Sequence, residues 1–391
     1  MTRRPALSRR SFITACSALA IPSALAASDP LAALHTPPGG LQPQSAVDNS
    51  GVLHVVYLAG DPASADVYYV RKAPSQTNFS APMRVNSRPG SAVALGTVRG
   101  AHLAIGRNAR IHVAWNGSSA AQAQSPRHST PMLYTRLNDA GLAFEPERNL
   151  MQISTALDGG GTVAADSHGN VYVAWHGQSI AGPVAGEQNR RVWLAKSNDE
   201  GRTFSSELAV SPPELGACGC CGMGALADRY GNLYLAFRSA RQLVHRDMYL
   251  LLSNDRAKTF RPVALQPWNI AACPMSTVSL ADASAGIFVA WETRQQVFFA
   301  TLDRRTGSVS QPVSAPGAAT SRKHPSIAVN NGGQILLAWT EGTGWKKGGS
   351  VAWQIFDSGY GPVAGSTNAA QVPAWSFPTA AAAGKEFLLM S

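Results

Sequence analysis

The chain has 391 residues, 45% hydrophobic and 14% charged, with a formal net charge of +10. Such a composition buries a large core and excludes a disordered chain. Basic residues form no run longer than a pair, as at Arg190-Arg191 and Lys346-Lys347, which speaks against nucleic-acid binding.

The first 27 residues read as an export leader. Ser8-Arg9-Arg10-Ser11-Phe12-Ile13 resembles a twin-arginine motif, residues 13–20 are apolar, and Ala24-Leu25-Ala26 offers small residues for cleavage. The apolar run is too short to span a bilayer, and nothing after residue 27 is apolar enough to cross one. Residues 28–391 are therefore expected as a soluble domain, exported to a periplasm or secreted, without a membrane partner. Cleavage removes four of the 33 basic residues and no acid, leaving 29 against 23, or +6.

A repeat decides the fold. GVLHVVY (51–57), ARIHVAW (109–115), GNVYVAW (169–175), GNLYLAF (231–237), AGIFVAW (285–291) and GQILLAW (333–339) end on Tyr57, Trp115, Trp175, Phe237, Trp291 and Trp339, spaced 48 to 62 residues apart. Each run is rich in β-branched and aromatic residues, as a buried strand is. A small-residue strand and an Asp, Asn and Gly turn precede most of them, as in ALADRYG (225–231). A loop and a further strand follow each, as in RVWLAKS (191–197) and DMYLLLS (247–253). Four strands per unit, repeated radially, make a β-propeller blade, so residues 28–391 are expected as one all-β domain. PTAAAAGKEFLLM (378–390) forms a seventh hairpin without outer strands, and residues 30–36 are placed to supply one and close the ring.

The turns after two third strands carry SNDEGRTF (197–204) and SNDRAKTF (253–260), with a degenerate LNDAGLAF (137–144) one unit earlier. They resemble the Asp box of the sialidase-like (BNR-repeat) β-propellers, and the resemblance covers residues 44–391. It implies turn-forming, structural roles for Ser197, Asp199 and Thr203 and for Ser253, Asp255 and Thr259, on the face opposite an active site. It also implies six blades, where the hairpin count is seven. A sialidase of that family uses an arginine triad, a tyrosine nucleophile paired with a glutamate, and an aspartate acid/base. The early Arg-Ile-Pro is missing, HTPPGG (35–40) standing nearest, and Tyr360, the last tyrosine, falls in an outer turn. The expectation is a non-catalytic propeller, with an exo-sialidase-type glycoside hydrolase and a disulfide-stapled interaction scaffold as alternatives.

In a propeller the loops entering first strands share a face with those leaving second strands. Arg238, Arg294, Glu341, Trp345 and Lys346 fall there as candidates to hold a small ligand, a glycan or a protein. So does CGCCGMGALAD (218–228), with Cys218, Cys220 and Cys221 in four positions, and, one unit on, Cys273 in AACPMST (271–277). The fifth cysteine, Cys16, lies in the leader. Four cysteines in an exported chain read either as disulfides or as a metal site. The metal reading adds the thioethers of Met223 and Met275 and suits copper(I) before zinc. His128, His176, His245 and His324 share the face and are further candidate ligands.

Overall fold

In the computed structural model, residues 1–2, 31–122, 125–182, 186–318 and 321–391 are described, so the body of the expected leader lies outside them. Each repeat unit folds as an antiparallel sheet, and the sheets number seven. Five have four strands; the third carries an additional short strand, Ser154–Thr155; the seventh has three. The fourth is representative: Gly224–Ala227, Leu233–Arg238, Met248–Ser253 and Arg261–Gln266, paired in that order.

Side-chain chemistry sets the turn between first and second strands. Asp228 accepts from the backbone N–H groups of Tyr230 and Asn232, both at 2.9 Å, and Gly231 supplies the positive φ of 83° that completes it. Asp166 makes the same bonds to His168 and Asn170.

No blade buries its own apolar faces; neighbours do it for each other. Each closing aromatic lies against the preceding blade: Trp115 with Val56 and Leu58, Trp175 with Ala114, Phe237 with Ala174, Trp291 with Leu250, Trp339 with Phe299, and Tyr57 with Met390. Trp115, Trp175 and Trp291 are wholly buried.

The first strands surround a central channel of about 280 Å³. Hydroxyls tie adjacent first strands together there: Ser279 accepts from Ile327 N–H at 3.1 Å, and Ser326 from Ala380 N–H at 2.8 Å.

The ring closes at the seventh blade. Leu31–Leu34 pairs in parallel with Glu386–Met390, Leu31 opposite Phe387 and Leu34 opposite Met390, and Glu386–Met390 pairs in turn with Thr379–Ala383. The count of seven holds against the six that the family resemblance implies, because the N-terminal strand completes a blade whose own hairpin ends the chain. Among the described residues no helix is long and apolar enough to cross a membrane.

Candidate metal centre at the channel mouth

The three clustered cysteines lie on the segment that links the outer strand of the third blade, Leu208–Ala209, to the first strand of the fourth. Backbone bonds from three directions fix this segment. Cys218 N–H donates to Arg238 O at 2.9 Å, Gly219 N–H to the Glu187 carboxylate at 2.7 Å, and Gly222 N–H to Ser276 O at 2.9 Å. The turn so held sets Cys218 Sγ 3.4 Å from Cys220 Sγ and 3.5 Å from Cys221 Sγ. All three sulfurs lie within 4.8 Å of one another. Packing around them is tight: a Cβ on Gly160, whose φ is +74°, would sit 2.7 Å from Cys221 O. Cys218 and Cys221 are 1% and 2% exposed, Cys220 is half-buried, and all four described cysteines are free thiols.

Cys273 arrives from the loop that leads into the fifth blade. Its sulfur, Cys220 Sγ and a Glu187 carboxylate oxygen lie within 4.8 Å of one another. The four cysteines thus form one chain of contacts hinged on Cys220. Neighbouring first strands converge on the axis, so their lead-in loops meet.

Two buried arginines stand beside the sulfurs. Arg246 pairs with Glu187 at 2.6 Å. Arg238 lies 5.0 Å over the Trp268 ring, donates to Arg246 O at 2.7 Å and to Glu292 O, and stands 3.8 Å from the Glu292 carboxylate. Burial pushes Glu292 up to about 7 although Arg238 draws it down.

The thiols titrate as a unit. Burial disfavours a Cys221 thiolate, but hydrogen bonds from Cys218 and Cys220, with Arg238 nearby, outweigh it and hold Cys221 well below the usual thiol range. Hydrogen bonds to Cys218 and Cys221, then burial, push Cys220 far up. Cys218 is raised too: its bond with Cys220 favours the thiolate, but its bond with Cys221 and burial prevail. A bound cation would favour the thiolate form of all three. Burial pushes His176 down to about 4 and His324 to about 3, so both rings are neutral. His176 Nε2 is 3.2 Å from Cys221 O, and each ring has a buried, unpartnered Nδ1.

The geometry fits a soft ion. A metal–sulfur bond of about 2.3 Å in a tetrahedral site implies sulfurs about 3.8 Å apart. The two separations from Cys218, 3.4 and 3.5 Å, reach that with shifts of a few tenths of an ångström.

Other sequence-predicted site residues are scattered. Met223 packs among Leu215, Ala217, Leu235 and Phe237, where the third and fourth blades bury it. Met275 lines a separate cleft with Lys323, His324, Trp345 and Trp375. Trp345 is 55% exposed and packs edge-on to Trp375, ring centroids 6.5 Å apart. Arg238 was expected on the open face but is buried, because Trp268 from the next loop covers it. Arg294 is exposed, in the tight turn joining Gly286–Thr293 to Gln296–Leu302. Glu341 is fastened by Arg322 Nε and Trp339 Nε1, both at 3.0 Å. Lys346 tips an exposed turn at φ +54°. His128 is exposed, and His245 pairs with Arg241 and Asn269 through its backbone. Sequence reasoning missed Glu187, Arg246 and Glu292. Their one signal was position: Glu187 and Arg246 lie in loops that leave second strands, Val171–Ser179 and Leu233–Arg238, and Glu292 lies near the end of another, Gly286–Thr293.

At the far end of the third strands, Asp199 accepts from Ser197 Oγ at 2.7 Å, Thr203 N–H at 2.9 Å and Thr203 Oγ1 at 2.6 Å. Asp255 does the same with Ser253 and Thr259. First and third strands run in parallel, so these turns lie on the face opposite the thiols.

Fold and site together define a seven-bladed β-propeller with a thiol cluster at one mouth of its channel. Solved structures with the same fold include a Trypanosoma rangeli sialidase bound to the inhibitor DANA, with a TM-score of 0.52 and 10% identity over 78% of this chain and 53% of that one. Others are a Penicillium chrysogenum alpha-L-arabinanase with arabinobiose (TM-score 0.51, 13% identity, 83% and 95% covered) and a Streptococcus pneumoniae sialidase (0.51, 10%, 85% and 67%). The chain spans about half the length of the Trypanosoma enzyme, and at these identities the likeness is one of fold. No family model matches the sequence, and no curated protein matches it.

Proposed function

We propose that this is an exported, non-catalytic β-propeller that binds a soft transition-metal ion, copper(I) before zinc, between Cys218, Cys220 and Cys221. The observation that carries this reading is the turn that brings three sulfurs within 4.8 Å of one another. Three thiolates around a monovalent ion leave a net negative charge, and Arg238 and Arg246 beside them offset it. Zinc prefers four ligands and gains less from an all-sulfur trio. The leader-like sequence supports export by the twin-arginine route, which suits a protein folded with its ion aboard. The turns at Asp199 and Asp255 are read as structural Asp boxes. A non-catalytic role is supported by Arg238, whose guanidinium is occupied by backbone carbonyls rather than free to clamp a carboxylate.

The test is metal analysis with free-thiol titration on protein exported by its own leader. One copper per chain is expected, with the exposed Cys273 titrating at once and the other three thiols only after chelation, and Cys220→Ser should lose the metal. Metal-free protein with no titratable thiol would establish the disulfide-stapled scaffold instead. Turnover of a fluorogenic sialoside, lost on mutating a carboxylate of this face, would establish a glycoside hydrolase.

A further inference from the structure

Two groups of donors overlap at this mouth, and they differ in accessibility and softness. The inner group, Cys218, Cys220 and Cys221, is all sulfur, with two members almost wholly buried. The outer group, Glu187, Cys220 and Cys273, mixes a carboxylate with two sulfurs, and Cys273 is exposed. Cys220, half-buried, belongs to both. From solvent inward the order is Cys273, Cys220, then Cys218 and Cys221.

Resting on the metal-binding reading above, we infer that Cys273 is the exchange ligand of the site: the ion enters and leaves through the outer group, and Cys220 passes it between outer and inner groups. Water does not reach Cys218 or Cys221, so a copper(I) ion gets to them only by changing one thiolate for another. Cys273 is placed for the first exchange. It ends an exposed run, Ala271 to Cys273, whose base is pinned at buried Pro274, where Lys323 Nζ donates to the Pro274 carbonyl at 2.8 Å. Glu187 is held by Gly219 N–H and Arg246 and keeps further carboxylate lone pairs for the ion. The harder, mixed set outside and the softer, all-sulfur set inside drive copper(I) inward.

Each step is ligand exchange without electron transfer. A Cys273–copper bond forms as a bond to the donor breaks, and the Cys273 proton leaves to water. Cys220 then binds with loss of its proton. Bonds to Cys218 and Cys221 form as the Cys273 bond breaks, their remaining protons leave, and Cys273 takes a proton back from water. Copper stays copper(I) throughout.

The probe is the coloured copper(I)–bicinchoninate complex, mixed under argon with reduced, leader-free protein, following the rate of transfer and the final partition. The wild type should take up one copper(I) per chain. Cys273→Ser should reach the same partition at least about tenfold more slowly, and Cys273→Met, with a soft thioether, should recover most of the rate. Cys218→Ser should lose the partition itself. An unchanged rate in Cys273→Ser overturns the exchange role while leaving the metal site standing. So does a partition that falls as far as that of Cys218→Ser, which makes Cys273 a permanent ligand. A wild type that takes no copper(I) overturns the metal reading and this inference together.

Discussion

The turn at Asp199 allows a sharp test because the chain contains its own control. In SNDEGRTF the carboxylate of Asp199 is clamped by Ser197 and Thr203; in LNDAGLAF the corresponding residue is Asp139, but Leu137 and Ala143 stand where the two hydroxyl residues would be. Deprived of those partners, Asp139 turns outward to Arg110 at 2.6 Å and Arg202 at 3.2 Å, and its side chain is 64% exposed. Asp199→Ala removes three hydrogen bonds, each worth about 0.5–1.5 kcal/mol net, and the turn's partial exposure favours the low end, so about 2 kcal/mol is expected. Asp139→Ala breaks only solvent-screened ion pairs and should have no measurable effect. The pH dependence gives a second signature. Burial raises Asp199, but hydrogen bonds from Thr203 and Ser197 outweigh it and hold the carboxyl at about 2, below its unfolded value. Its contribution is therefore complete above the unfolded pKa, near 3.9, and is lost as pH falls from about 4 through about 2. Urea unfolding of wild type and both variants, at neutral pH and at intervals down to pH 2, reads both effects. An equal loss in Asp139→Ala, or a gap between Asp199→Ala and wild type that persists unchanged at pH 2, would refute the reasoning.

Ala257 occupies the glycine position of the second turn at φ +62°, where a Cβ is strained. Ala257→Gly should raise stability by about 0.5 kcal/mol, the relief exceeding the extra entropy of an unfolded glycine, and a lower urea midpoint would contradict it. Trp291 is fully buried between the fourth and fifth blades with Nε1 bonded to Gln266 at 2.6 Å. Trp291→Ala should cost about 3–5 kcal/mol in the same assay, and a loss under about 1 kcal/mol would mean the blades repack without it.

The blade architecture was legible because it repeats. An aromatic ends each second strand, a short polar turn precedes it, and even the incomplete seventh hairpin keeps Gly384 six residues before Met390, as Gly333 stands six before Trp339. The two faces followed from strand direction, and the meeting of Cys273 with Cys220 from the convergence of neighbouring first strands. Side-chain direction just outside the strands was not legible. Met223 immediately precedes Gly224–Ala227, and its turn into the core depends on Leu215 and Phe237, distant in sequence. Arg238 ends its strand and would reach solvent if Trp268 of the next loop did not cover it. Glu187 and Arg246 meet the thiols from loops that have no period to read. Asp139 was legible after the fact: the absent hydroxyls at 137 and 143 announce that its carboxylate must find other partners.

The strand that completes the seventh blade also determines how the ring bears a load. Leu31–Leu34 runs in the same direction as Glu386–Met390, and the ladder extends through Thr36 N–H to Ser391 O at 3.1 Å. The chain therefore enters this pair at one end and leaves it at the other. A pull on the two termini slides the strands past each other, so every bond of the ladder is strained at once. An antiparallel clasp drawn from one end would peel open bond by bond. The propeller is shut by a lap joint rather than a zip, and tension between its termini is resisted by the whole overlap.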